Sequence, residues 1–399
     1  MLERRLFLLV GGLVLAEVMF YAVLTPLLPY YAHHLNLSKP EAGILAAFYA
    51  FGAIVFSVPA GFLVGRVGAR RTVIAGVFVL AASSLAFGFL RSVAGLDAAR
   101  CLQGAGGSLL WAGGLVWLLA SSPPERRGEV VGSALGMGIA GALLGPVLGA
   151  AATVTSPELI FPLIAAVIAA LGAWAVAMPS PPPGRANTIG ELVAAARRDS
   201  RMWAGLWFTA LPSIVFGVLE VLAPLRLSAL GAGAAAIAAT FLVSAAIEAT
   251  LSPVVGRLSD RHGPTRVARI GLGFAALATI CVALPSAAFP LAVAVIAACV
   301  ALGSPWVPAS SLLSAGAAEF GLGQGIAFAL WNLAWGAGQA VGAAGGAALA
   351  HATADAVPYV ALAIACLATV FAVRIPFPES DGLTRRSARE PVRSSSGDG

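Results

Sequence analysis

Continuous apolar runs recur along the whole chain, separated by short polar turns rich in glycine and proline. They fall at roughly 5–30, 41–64, 72–91, 95–119, 129–152, 158–178, 203–226, 235–256, 267–285, 288–312, 322–350 and 355–376. Each is near the ~20 residues an α-helix needs to cross a bilayer core of about 30 Å. The runs are unbroken and rich in Ala and Leu, whereas membrane strands alternate over about ten residues, so strands are excluded. The pattern predicts an all-α polytopic membrane protein: twelve transmembrane helices in two pseudo-symmetric six-helix halves, 1–178 and 203–378. The N-terminus, "MLERRLFLLVGGLVLA", has the basic-then-apolar order of a secretory signal. Its apolar pattern continues to Pro29 and eleven more spans follow, so it reads as a retained first helix.

Between the halves lies a polar linker, 179–202. Its proline run stops the sixth helix, and "TIGELVAAARR" then has the pattern of a short amphipathic helix lying on the membrane surface. The tail, 379–399, carries too little apolar content to fold.

The halves also repeat. "GFLVGRVGARR" and "GRLSDRHGPTR" start 195 positions apart, at 61 and 256. The same offset pairs Leu24 with Leu219, Pro29 with Pro224, Trp111 with Trp306 and Gly141 with Gly336, without a gap. Six-helix repeats are a mark of transporter folds, whose binding sites lie at the repeat interface near the midplane.

Composition agrees with the pattern: 59% of residues are hydrophobic and the mean hydropathy is +0.91, more apolar surface than a soluble core can hide. The net charge of +6 does not read as nucleic-acid binding, because the basic residues form no patch on a soluble face. Nearly all of them fall on one side of the twelve-span arrangement. Basic short loops stay in the cytoplasm, so both termini are expected there, in a cell inner membrane. The four cysteines sit inside apolar spans without metal-ligand spacing, and read as small buried hydrophobes. No metal, cofactor or nucleophile constellation is present in the pattern, and an enzyme is not expected.

Candidate chemistry lies where charge enters the spans, because a charge in the bilayer interior costs upwards of ~3 kcal/mol and needs a cavity or a partner. Glu17 lies about eleven residues into the first span, so ~16 Å deep, with Tyr21 and Thr25 following on its helix face. Glu220, in the seventh span, is the repeat mate of Thr25; it is open to a proton-carrying role or to pairing with Arg226. Glu248 shares a face with Ser244 and Ser252, as a proton site or as their hydrogen-bond partner. Arg100 enters the fourth span. In the eleventh, Phe328, Asn332, Trp335 and Gln339 form one stripe of aromatic and amide groups, either a substrate wall or an interhelical seam. Trp111 and Trp306 are cavity aromatics or packing groups.

The chain resembles the major facilitator superfamily from Leu6 to about Arg374. The charged signature G-x-x-x-D-R-x-G-x-x-R is carried by Gly256, Asp260, Arg261, Gly263 and Arg266, and in a worn first copy by Gly61, Arg66, Gly68, Arg70 and Arg71, with Gly65 at the acidic position. A tight turn explains the glycines and the lipid-phosphate layer the arginines. The resemblance implies that Asp260 latches the inner gate at the start of the fifth helix, near Arg126 and Arg127. Gly132, Gly141, Gly145, Pro146 and Gly149 resemble the glycine-proline signature of proton-coupled exporters, and Arg100, Gln103, Gly104 and Gly106 the R-x-x-Q-G-x-G pattern of proton-driven members. The resemblance therefore implies a monomeric drug/proton antiporter that needs no cofactor. It would exchange protons, carried by Glu17 with Arg100, Glu220 and Glu248 as companions, for a small apolar or amphipathic compound. A metabolite symporter or uniporter is the alternative, and a non-transporting receptor or scaffold a remote one.

Overall fold

The computed structural model describes residues 2–123, 127–180, 199–319 and 324–373; the side chains of 2–3, 127–132, 135, 324–326 and 328 are outside that description. The expected surface helix of the linker and the tail from 379 lie outside the described residues. Helices account for nearly everything described, and no strand occurs among the described residues.

In chain order they are α1 (Leu2–Ala22), α2 (Leu24–His34), α3 (Lys39–Val67), α4 (Ala69–Phe89), α5 (Val93–Ala120), α6 (Arg127–Val154) and α7 (Pro157–Ala177). The second half holds α8 (Ser200–Ala229), α9 (Ala234–His262), α10 (Pro264–Ala283), α11 (Ala288–Gly303), α12 (Trp306–Glu319), α13 (Gln324–Ala340), α14 (Gly346–Ala352) and α15 (Ala356–Ala372). Ten segments are long and apolar enough to cross a membrane, with α1–α2 and α11–α12 each counting as one. The eleventh expected span is α13 and α14 joined by a π-helical turn, Val341–Gly345; the twelfth is the 17-residue α15.

The repeat is visible in the elements. Helices α3 and α9 begin and end 195 residues apart, at Lys39 and Ala234 and at Val67 and His262. Each ends at a glycine with positive φ, +90° at Gly68 and +85° at Gly263, a backbone conformation that costs other L-residues free energy. The charged signatures are thus built around left-handed glycine corners. At the other end of α3, Ser38 and Glu41 form a capping box, with Ser38 N donating to Glu41 Oε2 at 2.8 Å.

Within the first half α1 packs on α6, and α3 and α4 on α5; within the second α8 packs on α13 and α10 on α15. The halves meet along α6–α9 and α3–α13/α14, which are repeat-related seams. Small residues set the closeness. A Cβ on Gly141 would lie 2.9 Å from Met19 N, and one on Gly145 2.6 Å from Met19 O, so the α6 glycines serve close approach to α1. The α-helix continues through Pro146, while its partner is interrupted at Val23, where Gly149 and Pro26 meet.

Candidate functional site

A cavity of about 760 Å³ runs between the halves. Its wall extends from Thr25 and Glu220 to Gly65 and Leu119 at the end that carries the charged loops, and it is largely apolar. At the opposite end the halves are held by an ion pair between Lys39 at the start of α3 and Asp355 before α15, 2.5 Å apart.

Residues one turn apart on α1 and α2 enter this cavity from one face, as their spacing requires. Glu17 is 2% exposed. Its carboxylate accepts from the Tyr49 hydroxyl of α3 and from Trp111 Nε1 of α5 at 2.9 Å. Gly107 makes room for it, since a Cβ there would lie 2.7 Å from Glu17 Oε1. Each charge-assisted bond contributes about 1.5–3 kcal/mol, which offsets the carboxylate's loss of water.

Glu220 lies on α8, across the cavity. Tyr21 Oη donates to its Oε2 at 2.7 Å and Thr25 Oγ1 to its Oε1 at 3.2 Å; the Gln339 amide of α13 donates to it as well. Gln339 Nε2 also reaches Tyr21 Oη at 2.6 Å. Thr25 and Glu220 are repeat mates, so this contact sits on the pseudo-twofold axis. Arg226 is occupied elsewhere, donating to the carbonyls of Pro285 at 2.8 Å and Ala283, so it does not pair with Glu220.

Arg100 stands behind this front. Its guanidinium carbon lies 4.9 Å from the Tyr49 ring centroid and 5.9 Å from that of Tyr21, and its Nη1 donates to Gln103 Oε1 at 3.1 Å. It makes no ion pair with Glu17, and neither Arg100 nor Gln103 lines the cavity. Stacking on two electron-rich faces substitutes for a carboxylate partner.

From the α13 stripe, Asn332 and Trp335 line the cavity, Trp335 packing edge-on to Tyr21 at 5.5 Å. Gln339 is the interhelical bridge just described. Phe328 belongs to α13, but its side chain is outside the described residues. Trp111 and Trp306 are both on the wall, and Glu248 joins them from α9. Of the gating residues, Arg66, Arg71, Asp260, Arg261 and Arg266 are exposed and Gly61 has open space around it. Asp260 has no ion pair among the described residues, and its expected partners near Arg126 and Arg127 lie outside them.

Tyr49 and the Lys39–Asp355 pair were not foreseen. A tyrosine hydroxyl in the middle of an apolar span is a signal for the first; nothing in the sequence joins residues 316 apart. Among the described residues no group of three His, Cys, Asp or Glu side chains could hold a metal.

Comparison with known proteins decides the family. A family model described as Major Facilitator Superfamily matches residues 10–327. The chain belongs to the major facilitator superfamily. It is similar to the uncharacterized MFS-type transporter YcaD of Escherichia fergusonii, 27% identical over 283 residues, or 69% of this chain and 72% of the relative. The MFS-type transporter ppzB of Metarhizium rileyi is 30% identical over 139 residues, 33% of this chain and 29% of that protein. A human synaptic vesicular amine transporter is 36% identical over 111 residues, 27% of this chain and 21% of its own. The chain thus spans under a third of the length of the fungal relatives it matches. Among solved structures, a bacterial homolog of the human lysosomal transporter Spinster, inward-facing and unoccupied, aligns with a TM-score of 0.73 over 92% of this chain and 94% of that one, at 15% identity. The major facilitator fold follows from that likeness.

Proposed function

We propose that this superfamily member is a proton-coupled exporter of the drug/proton antiporter kind, working as a monomer on a small apolar or amphipathic compound. The observation that carries the reading is the cavity wall: three carboxylates, Glu17, Glu220 and Glu248, on an otherwise largely apolar surface. A structural scaffold gains nothing from acids placed where the bilayer penalises them, whereas a proton carrier requires them. The apolar remainder suits a hydrophobic passenger. Glu17 and Glu220 would load and release the exchanged proton, and Arg100, stacked on the two tyrosines between them, would bias both by its charge.

Both termini are taken as cytoplasmic, with the open end of the cavity inward. In this state Asp260 is exposed with no ion pair among the described residues, and the Lys39–Asp355 clasp is closed at the far end. In this reading Asp260 engages the start of the fifth span only when the inner end shuts. Thiol labelling tests the topology: Ser286→Cys reacts from outside in intact cells and Arg257→Cys only after permeabilisation; the reverse pattern rejects it. Purified protein in liposomes tests the coupling. An imposed pH gradient should drive uphill movement of a hydrophobic passenger, with proton flux in the opposite direction. Movement in the same direction as the proton would favour the symporter alternative.

A further inference from the structure

The repeat exposes an asymmetry across the cavity. In the first half Glu17, Tyr49 and Trp111 form a closed hydrogen-bonded group. Their mates, 195 residues on, are Pro212, Ser244 and Trp306. The tryptophan is kept and its acceptor is lost. Pro212 has no side-chain oxygen, and the Ser244 hydroxyl donates to Thr240 O at 2.8 Å. Trp306 Nε1 is accordingly buried with no hydrogen-bond partner among the described residues, a donor that costs about 1–3 kcal/mol while unmet.

One turn along, the halves differ again. Ser108 Oγ of the first half donates to Ala53 O at 2.8 Å. The mates of Ala53 and Ser108 are Glu248 and Gly303. The Glu248 side chain occupies the space a Cβ at Gly303 would need, with its Cγ 2.8 Å from that position. Its carboxylate has no hydrogen bond or ion pair among the described residues. Among the described residues no Lys, Arg or His lines the cavity, so the carboxylate is neutralised there either by a proton or by a cation that enters the cavity.

We propose that Glu248 and Trp306 form a subsite for an organic ammonium ion. The carboxylate takes the cationic nitrogen and the Trp306 N–H donates to an ether, hydroxyl or carbonyl oxygen on the same molecule. Phe216, which packs edge-on to Trp306 at 5.9 Å, and Phe241 line the same wall and receive the apolar body. The two groups are complementary in what they lack, an unpaired acceptor and an unpaired donor on one wall. Aromatic faces beside a carboxylate favour a soft organic cation over a hydrated one. The inference deepens the exporter reading and rests on it for transport, but binding can be measured alone.

The probes are 2-(4-methoxyphenyl)ethyl-trimethylammonium, its uncharged tert-butyl isostere and the cation lacking the methoxy group, titrated calorimetrically into full-length protein in detergent. Wild type should prefer the cation over the isostere by ~10-fold or more, about 1.4 kcal/mol. Glu248→Gln should reduce that preference to within about twofold, while Glu158→Gln, outside the cavity, keeps it. Trp306→Phe should weaken the methoxy cation several-fold more than the plain one, and this variant carries the test if Glu248→Gln does not fold. No preference in wild type, or a preference that survives in Glu248→Gln, overturns the subsite. The readings fail separately. If liposomes show no proton-driven export while the preference depends on Glu248, the exporter reading falls and the subsite stands. Export intact with the preference absent removes the subsite alone.

Discussion

Glu17 and Glu220 are both buried acids lining one cavity, but they are held differently. Every hydrogen bond to Glu17 comes from its own half, from Tyr49 and Trp111. Glu220 belongs to the second half and takes two of its three donors, Tyr21 and Thr25, from the first. If the halves rock as rigid bodies, the shell around Glu17 travels intact, whereas that around Glu220 has to break. A proton on Glu17 therefore changes the charge of the cavity, and a proton on Glu220 also changes how strongly the halves hold each other. The second acid is the better placed to convert protonation into movement, because a ligand or proton shifts a conformational equilibrium only by its differential free energy in the two states.

The largest expected effect tests that difference directly. Glu220→Gln loses charge-assisted bonds worth about 1.5–3 kcal/mol each, so the population closed at the Lys39–Asp355 end should fall ~10-fold or more relative to the open one. Spin-label distances between that end of α3 and α15 measure it. Glu17→Gln should abolish proton-driven transport in liposomes while changing the same distances little. Equal distance shifts in both variants would end the contrast.

Smaller substitutions sharpen it. Tyr21→Phe removes a bond that crosses between halves, at about 1 kcal/mol or somewhat more, and should shift the same populations several-fold. Tyr49→Phe removes a bond within one half and should leave them in place while lowering the thermal stability of the protein. A shift with Tyr49→Phe as large as with Tyr21→Phe would contradict the rigid-half picture.

Asp355→Asn breaks the clasp at the far end. Its two side chains are 40% and 30% exposed, so the pair contributes about 0–1 kcal/mol, and the distance shift should be under about fivefold and shrink further in molar salt. The least effect on this state is expected from Asp260→Asn, since Asp260 is exposed and makes no ion pair among the described residues. Its influence should appear only as a small gain of the inward-open population, because the opposite state loses its latch. No change in either population would leave Asp260 with no latch role and only the part of a charge that holds its loop on the inner side.

Much of this protein was legible before any coordinates. The helices follow from runs of apolar residues long enough to cross a bilayer, and the 195-residue offset located α9 from α3. Gly68 and Gly263 were read as turn residues because of their flexibility, and both have positive φ. Glu17, Tyr21 and Thr25 could be assigned one face by helical spacing alone. The partners of those groups were not legible. Arg100 was read as a companion of Glu17, but no local pattern says that its guanidinium stacks on two tyrosines, and the significance of Tyr49 depends on how deeply α3 sits against α5.

The sequence by itself determined the solvent, the number of spans, the repeat and the family signatures. These depend on composition and on spacing within single helices, where each residue's surroundings are fixed by its neighbours in the chain. Only the tertiary structure decided which acid is shared between halves, and that among the described residues Glu248 has no partner and Trp306 lacks the acceptor its repeat mate has. Those facts depend on how helices hundreds of residues apart are rotated and how closely they approach. That is set by packing at small residues such as Gly107, Gly145 and Gly303, and no local pattern encodes it.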